Sequence, residues 1–147
     1  EKKQQLKIIF PGEGEEYKTK LIRWADKYDL KETLIFPGYI NGKEYLSIAD
    51  LMVLPSKQEG FGIVNVESFA MGVPVIRTKT AGWLDMKDCC FGVEYGDVKS
   101  LAKYINYLWD APHILEAQVK KASQNVSRFS IEKMTDEYRK IYAASMK

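Results

Sequence analysis

Residues 55–76 read PSKQEGFGIVNVESFAMGVPVI, and this stretch decides the fold. The apolar run LMVL (51–54) precedes it and ends at a proline, which is typical of a short buried strand. After a turn with two glycines, residues 61–71 form an apolar segment of helical length, and Gly72 stands where helices commonly end in a left-handed conformation. VPVI (73–76) is a further apolar strand. This order predicts a right-handed crossover between parallel strands.

Short strands alternate with helical segments over the whole chain. Apolar runs predict the strands, and apolar residues recurring at helical spacing predict the helices. Further strands are expected at LKIIF (6–10), TLIF (33–36) and FGVEY (91–95), and further helices at 15–30, 41–49, 98–110, 112–128 and from the predicted N-cap Ser130 to the end. The alternation predicts an α/β fold, a Rossmann-like parallel sheet with helices on both faces.

Composition and charge favour a small-molecule ligand. The 147 residues fit one domain, 1–147, and 46% hydrophobic with 29% charged residues is ordinary for a globular protein. The net charge is only +2, which gives no electrostatic footprint for nucleic acid. The composition therefore predicts no nucleic-acid partner.

The cysteines and the chain ends indicate a cytoplasmic segment of a longer protein. Cys89 and Cys90 are adjacent, which suits neither a disulfide framework nor a zinc site and predicts reduced, buried thiols. No apolar run approaches the ~18 residues of a membrane span, and EKKQQ at the start lacks a signal-peptide pattern. The absent initiator methionine and the abrupt entry into a strand suggest truncation on the N-terminal side.

Two glutamates in the opening stretch are candidate binding groups. The helix that carries Glu67 is apolar nearly all round, so we expect it to be buried, and a buried carboxylate needs a strong partner. Either a Lys or Arg forms a structural ion pair with it, or adjacent ligand hydroxyls, such as those of a ribose, donate to it. Glu59, at the mouth of the loop, can meet a polyhydroxylated ligand. Gly60 and Gly62 either let the backbone approach a phosphate or only form the turn.

The order and spacing of these residues resemble the signature of the GT-B retaining glycosyltransferases of the glycosyl transferases group 1 family. That signature runs Pro-Ser, Glu-Gly-Phe-Gly, a second Glu and Ala-x-Gly-x-Pro-Val. It is matched by PS (55–56), EGFG (59–62), Glu67 and AMGVPVI (70–76). PGEGEE, FPGYI and FGVEYGDVKSLAKYINYLWD resemble further family segments. The chain thus looks like the C-terminal, donor-binding half of a GT-B fold.

The resemblance implies a role for each candidate residue. Glu59 would be the catalytic group that orients the donor sugar and stabilises charge in the transition state, and Glu67 would bind the ribose of a nucleoside-diphosphate sugar. Backbone groups would hold the sugar hydroxyls and the diphosphate at Gly60, Phe61, Gly62, Ile63 and Val64, and the base at Tyr39 and Ile40.

Some positions depart from the family pattern. The family usually has Gly-Gly and then Glu where this chain has AGWLD (81–85), with Ala81 and Asp85 at those places. Arg77 and Lys79 stand where small polar residues are common, and they either touch phosphate or lie on a solvated loop face. Trp83 either packs within its loop or lines the sugar pocket. The family's cationic diphosphate clamp, an Arg and a Lys, lies upstream of the matched segment.

The resemblance implies a glycosyltransferase of the hexosyl type that acts with retention on a donor such as a UDP- or GDP-sugar, with no metal and no other cofactor. Its implied partners are the donor and an N-terminal acceptor domain of the same chain, through which peripheral membrane contact stays open. Without that domain and the cationic clamp, the chain alone is expected to be inactive. Two alternatives remain, a GT-B nucleotide-sugar epimerase and a non-catalytic nucleotide-binding module.

Overall fold

The computed structural model describes residues 6–146. Its strands are β1 (Ile8–Pro11), β2 (Leu34–Gly38), β3 (Met52–Leu54), β4 (Val75–Thr78) and β5 (Phe91–Val93). Its α-helices are α1 (Glu15–Lys27), α2 (Gly42–Leu46), α3 (Ile63–Ala70), α4 (Trp83–Met86), α5 (Val98–Asp110), α6 (Pro112–Asn125) and α7 (Ile131–Ser145). Single 3₁₀ turns cover Lys31–Thr33 and Val126–Phe129. The predicted alternation is confirmed; α4 was not predicted, because one helical turn is too short to show a periodic pattern.

The first compact unit ends at Tyr45. Its strands β1 and β2 pair in parallel, and the rings of Phe10 and Phe36 stack with their centroids 5.2 Å apart. The Gly12 N–H donates to the Gly38 carbonyl at 2.8 Å. The two loops that follow these strands are therefore tied together at the carboxyl ends, the edge at which parallel α/β sheets bind ligands.

The second compact unit begins at Leu46 and is built on three parallel strands in the order β3-β4-β5. The central strand β4 is buried along its whole length. Val75 and Ile76, consecutive residues of β4, point to opposite faces of the sheet. Val75 belongs to the apolar cluster that contains Phe69 and Met86, and Ile76 to the one that contains Leu108. Helices thus cover both faces of this sheet, as predicted.

The strands form two sheets, one in each unit, where the sequence predicted one. All the strand pairs are parallel, as expected. The difference arises because apolar periodicity identifies a strand and its buried face but carries no information on which strand it pairs with.

The strand predicted as VPVI begins only at Val75, because the residues before it close helix α3. Gly72 has φ of +73°, the Val73 N–H donates to Ser68 O at 2.8 Å, and the Gly72 N–H donates to Phe69 O at 3.2 Å. These paired bonds are the Schellman pattern of a helix C-terminus. The predicted role of the glycine is therefore confirmed.

Side-chain caps fix the starts of two later helices. Ser130 Oγ accepts from the Lys133 N–H at 3.2 Å at the start of α7, so the predicted N-cap is confirmed. At the start of α5, Asp97 accepts from the Ser100 N–H at 3.0 Å. The hydrogen bonds from Ser100 lower the pKa of the Asp97 carboxyl. Both caps satisfy backbone donors that a helix start leaves open.

Trp83 in α4 lies directly against strand β5 at Gly92. A Cβ built on Gly92 would stand 2.3 Å from Cη2 of the indole, far inside van der Waals contact. The ring also packs on the cluster around Phe69 and Met86. Of the two interpretations of Trp83, the packing role is the one the structure shows.

Burial is expected to make both thiols inert. Cys89 and Cys90 are free and buried, and removal from water raises the pKa of both, that of Cys90 to about 12. A thiol rather than a thiolate is the form present near neutral pH, and only the thiolate is a good nucleophile. Titration with a disulfide reagent at mildly alkaline pH should label neither cysteine of the folded chain and both after denaturation. Rapid labelling before unfolding would contradict this expectation.

Candidate functional site

The loop between β3 and α3 is held from below by two buried side chains of strand β4. Thr78 Oγ1 donates to Ser56 O at 2.6 Å near the start of the loop. Arg77 Nη1 donates to Phe61 O at 3.4 Å near its end. Thr78 is 3% exposed and Arg77 is 1% exposed. The central strand thus sets the position of the loop that carries Glu59.

The turn into α3 requires glycine at position 62. Gly62 has φ of +82°, and a Cβ there would stand 2.4 Å from Asn65 Nδ2. Asn65 is fully buried and donates through Nδ2 to Gly62 O at 2.7 Å, which closes the turn. Asn65 Oδ1 has no hydrogen-bond partner within residues 6–146. Gly62 is itself buried, whereas Gly60 and Phe61 on the same loop are exposed.

Glu67 is exposed, so the prediction that its helix is buried all round was wrong. Helix α3 buries one face, formed by Asn65, Ser68 and Phe69. The donors of its two polar members bond locally, since Ser68 Oγ donates to Val64 O at 2.9 Å and Asn65 Nδ2 donates to Gly62 O, while Asn65 Oδ1 stays without a partner within residues 6–146. Apolar periodicity missed this face because two of its three residues are polar.

The exposed face of α3 combines a carboxylate with apolar groups. Ile63 and Met71 lie one turn either side of Glu67 and are 69% and 42% exposed. Phe61 precedes them at 40% exposure, with its ring 5.7 Å from that of Phe129. Such a surface can contact an apolar ring face while the carboxylate accepts from hydroxyls. The predicted residues Ile63 and half-buried Val64 thus stand at the start of α3, and Glu67 lies one turn further along the same helix.

Glu59 is half-buried and lies over the turn at Gly62. Its Cγ lies 3.4 Å, and Arg77 Nη1 3.6 Å, from the point that a Gly62 Cβ would occupy. Within the described residues, neither Glu59 nor Glu67 is found in an ion pair. Of the alternatives for Glu67, a structural ion pair is therefore absent from residues 6–146.

Arg77 is neither a phosphate ligand at the surface nor part of a solvated loop face, the two roles predicted for it. It lies within β4, where its guanidinium donates to Ala81 O at 2.7 Å, to Thr80 Oγ1 at 3.2 Å and to Phe61 O. Lys79 does lie at the surface and pairs with Glu94 at 2.8 Å. The missed signal in the sequence was a charged residue directly after the apolar run 73–76, within a strand that is buried along its whole length.

In the first unit, the predicted base-binding turn follows β2. Tyr39 is 86% exposed and Ile40 is half-buried. An open pocket of about 650 Å³ lies at the ends of the two strands, lined by the glycine turn at 12–14 and by residues 36–38. A second pocket, of about 460 Å³, lies in the other unit beside Pro74, and the lining of neither pocket includes a predicted site residue.

The family model described as glycosyl transferases group 1 matches residues 1–126. The chain belongs to this family. The matched range includes every predicted site residue, at 39–40 and at 59–67. It extends through α6 to the start of the 3₁₀ turn before α7. The resemblance that the EGFG loop and Glu67 indicated is thereby confirmed.

Individual relatives agree with the family. N-acetyl-alpha-D-glucosaminyl L-malate synthase from Bacillus anthracis is 29% identical over 141 residues, covering 92% of this chain and 37% of that protein. Anabaena HepE in complex with UDP superimposes with a TM-score of 0.88 at 21% identity, over 95% of this chain and 41% of that one. Sucrose-phosphate synthase from Thermosynechococcus elongatus superimposes with a TM-score of 0.77 at 25% identity, over 95% of this chain and 39% of that one.

These structural likenesses establish the fold, one Rossmann-like half of a GT-B glycosyltransferase. The chain spans about 40% of the length of the relatives it matches. Within residues 6–146, no helix is long and apolar enough to cross a bilayer, and no three His, Cys, Asp or Glu side chains gather as a metal site would require.

Proposed function

We propose that this chain is the donor-binding half of a retaining hexosyltransferase that takes its sugar from a nucleoside-diphosphate sugar, such as a UDP- or GDP-sugar. The observation that carries the proposal is the pair of carboxylates on one loop and the helix that follows it: Glu59 on a glycine turn and Glu67 on the exposed face of α3, both outside any ion pair within residues 6–146. Carboxylates placed in this way accept hydrogen bonds from sugar hydroxyls.

The proposed roles follow from position along the loop and helix. The backbone of Gly60, Phe61 and Gly62 leads into the amino end of α3, where helix N–H groups favour an anion such as a diphosphate. Glu67 lies one turn further on, at the place proposed for the ribose. The turn at Tyr39 and Ile40 is the proposed contact for the base.

Two observations support the nucleotide and the missing partner. HepE, whose fold this chain shares, was crystallised with UDP and with UDP-glucose. The chain also covers only about 40% of each of the three relatives named above. The acceptor domain and the remaining diphosphate contacts are accordingly proposed to lie in the rest of a longer protein, and the two buried free thiols support a cytoplasmic location.

The test is a titration of the whole protein with UDP-, GDP- and ADP-sugars, followed by a product assay with candidate acceptors and assignment of the anomeric configuration. Binding of one donor and transfer with retention is the expected result. An epimerised sugar formed without any acceptor would replace the proposal by an epimerase, and tight nucleotide binding without turnover would replace it by a binding module.

Glu67→Gln should weaken donor binding about ten- to a hundredfold, because a hydrogen bond to a charged group contributes roughly 1.5–3 kcal/mol. The measurement is calorimetric titration of the whole protein with the preferred nucleotide. Glu116→Gln is the matched control, since Glu116 is an exposed glutamate on α6 and should leave the affinity unchanged. An unaltered affinity in the Glu67 variant would refute the ribose role.

A further inference from the structure

Arg77 makes hydrogen bonds to two loops at once. From the central strand β4, Nη2 donates to Ala81 O at 2.7 Å and to Thr80 Oγ1 at 3.2 Å, in the loop after β4. Nη1 donates to Phe61 O at 3.4 Å, in the loop after β3. One side chain therefore reaches the carboxyl ends of two neighbouring strands, which is where ligands of parallel α/β sheets bind.

The two loops also touch each other at Phe61 and Gly82. A Cβ on Gly82 would stand 2.6 Å from Phe61 O and 3.2 Å from its Cα, and Gly82 has φ of +75°. Glycine at this position therefore lets the two backbones approach closely. Arg77 donates to a carbonyl on each side of that contact, so it sets the relative position of the two loops.

The carbonyls that accept from Arg77 fix the direction of the amides that follow them. No cis peptide bond occurs within residues 6–146, and in a trans peptide the carbonyl and the next N–H point in opposite directions. The N–H groups of Gly62 and Gly82 are therefore directed away from Arg77. Neither donates a hydrogen bond within the described residues. Gly62 is buried, and a buried N–H without an acceptor is rare unless water or a ligand supplies one.

The residue type is unusual for a buried strand. Burying an arginine is costly unless its donors are satisfied, and within residues 6–146 no carboxylate forms an ion pair with it. An apolar side chain would carry no such cost. What an arginine adds is a rigid fork of N–H donors that serves several carbonyls together, and here it is used on the two loops.

We propose that Arg77 is a positioning residue for donor binding. It fixes the orientation of the Phe61–Gly62 and Ala81–Gly82 peptides relative to each other. The N–H groups of Gly62 and Gly82 then face acceptors on the bound nucleotide sugar. The inference rests on the proposed function of this site. It adds the loop after β4, and with it the Gly82 amide, to the groups that the donor meets.

The test compares Arg77→Met with Lys79→Met in the whole protein. Both variants lose one positive charge near the end of β4, but the Lys79 side chain pairs with Glu94 at the surface, and within the described residues it donates no hydrogen bond to Phe61, Thr80 or Ala81. Amide hydrogen exchange is measured without nucleotide at Asn65 and Trp83, whose N–H groups close the two turns by donating to Gly62 O and Thr80 O. UDP, GDP and ADP are then titrated in turn.

In Arg77→Met, exchange at Asn65 and Trp83 should rise about tenfold or more, and the Kd of the preferred nucleotide should rise by a similar factor, as for losing a hydrogen bond to a charged group. The reference amide of Met52, which donates to Pro74 O across the sheet, should keep its exchange rate. Lys79→Met should change neither quantity. Equal acceleration at Met52 would show a merely structural role and overturn the proposal.

If Arg77→Met does not fold, the same two measurements are made on Arg77→Lys. A single ammonium keeps the charge but cannot span both loops, so faster exchange should persist in at least one loop and the Kd should stay raised. Wild-type exchange and affinity in this variant would overturn the proposal. If the wild-type protein binds none of UDP, GDP and ADP, the proposed function fails, while the exchange measurement still decides whether Arg77 couples the two loops.

Discussion

Glu59→Gln in the whole protein is expected to lower kcat by about 10²–10³-fold, the usual effect of removing a group that stabilises transition-state charge. Glu59 lies on the turn at Gly62, where its proposed role is to orient the donor sugar and stabilise positive charge at the anomeric carbon. Glutamine keeps the size and one acceptor but removes the negative charge. Because that charge matters most when the glycosidic bond breaks, KM for the donor should change much less than kcat.

The measurement is steady-state transfer from the preferred donor at saturating acceptor. Glu94→Gln is the matched control, because Glu94 is an exposed carboxylate paired only with the surface cation Lys79, and its loss should leave kcat unchanged. A Glu59 variant that retains wild-type kcat would remove Glu59 from the chemistry. A variant that raised KM alone would leave it as a binding group.

Phe69→Ala should lower the free energy of unfolding by about 3–5 kcal/mol, the range for truncating a buried phenylalanine. Phe69 is 1% exposed and lies at the centre of the cluster with Val75, Met86 and the two cysteines. The truncation removes apolar contacts and leaves a cavity beneath the helix that carries Glu67. Such a loss is a large share of the 5–15 kcal/mol by which domains are usually stable.

Urea unfolding of the chain followed by circular dichroism measures this change. Phe69→Leu, which keeps most of the volume, should cost about 1.5 kcal/mol or less. Met71→Ala, at the exposed C-cap of the same helix, should stay within about 0.5 kcal/mol of the parent. Equal losses in the Phe69→Ala and Met71→Ala variants would contradict the assignment of the buried face.

The sequence was sufficient for the elements of the fold because their signals are local. Helix α5 has the predicted bounds, Val98–Asp110, since Asp97 caps its start and an apolar stripe continues to its end. The helix closed by Gly72 was equally predictable, because a left-handed glycine marks that position. The division into two sheets was not, since strand pairing depends on contacts between distant residues, which periodicity does not encode.

The residues of the candidate site could be predicted where their spacing along the sequence matched the family signature. Glu59 and Glu67 are placed by one loop and one helix, and the match over residues 1–126 confirmed the family that their spacing indicated, while their roles stay predictions. The exposure of Glu67 was missed because burial was inferred from apolar content, while Asn65 and Ser68 form most of the buried face. The buried position of Arg77 was missed because it bonds mainly to backbone carbonyls, among them those 16 and 4 residues away, which leave no trace in residue types.

The packing of Trp83 on Gly92 has a consequence for sequence variation in this family. With a Cβ at position 92 only 2.3 Å from the indole, each position constrains what the other can accept. Chains with a small side chain at position 83 can vary at 92, whereas chains with tryptophan there cannot. The two positions should therefore co-vary among homologous sequences, and a drift from glycine at 92 should follow, rather than precede, the loss of the tryptophan.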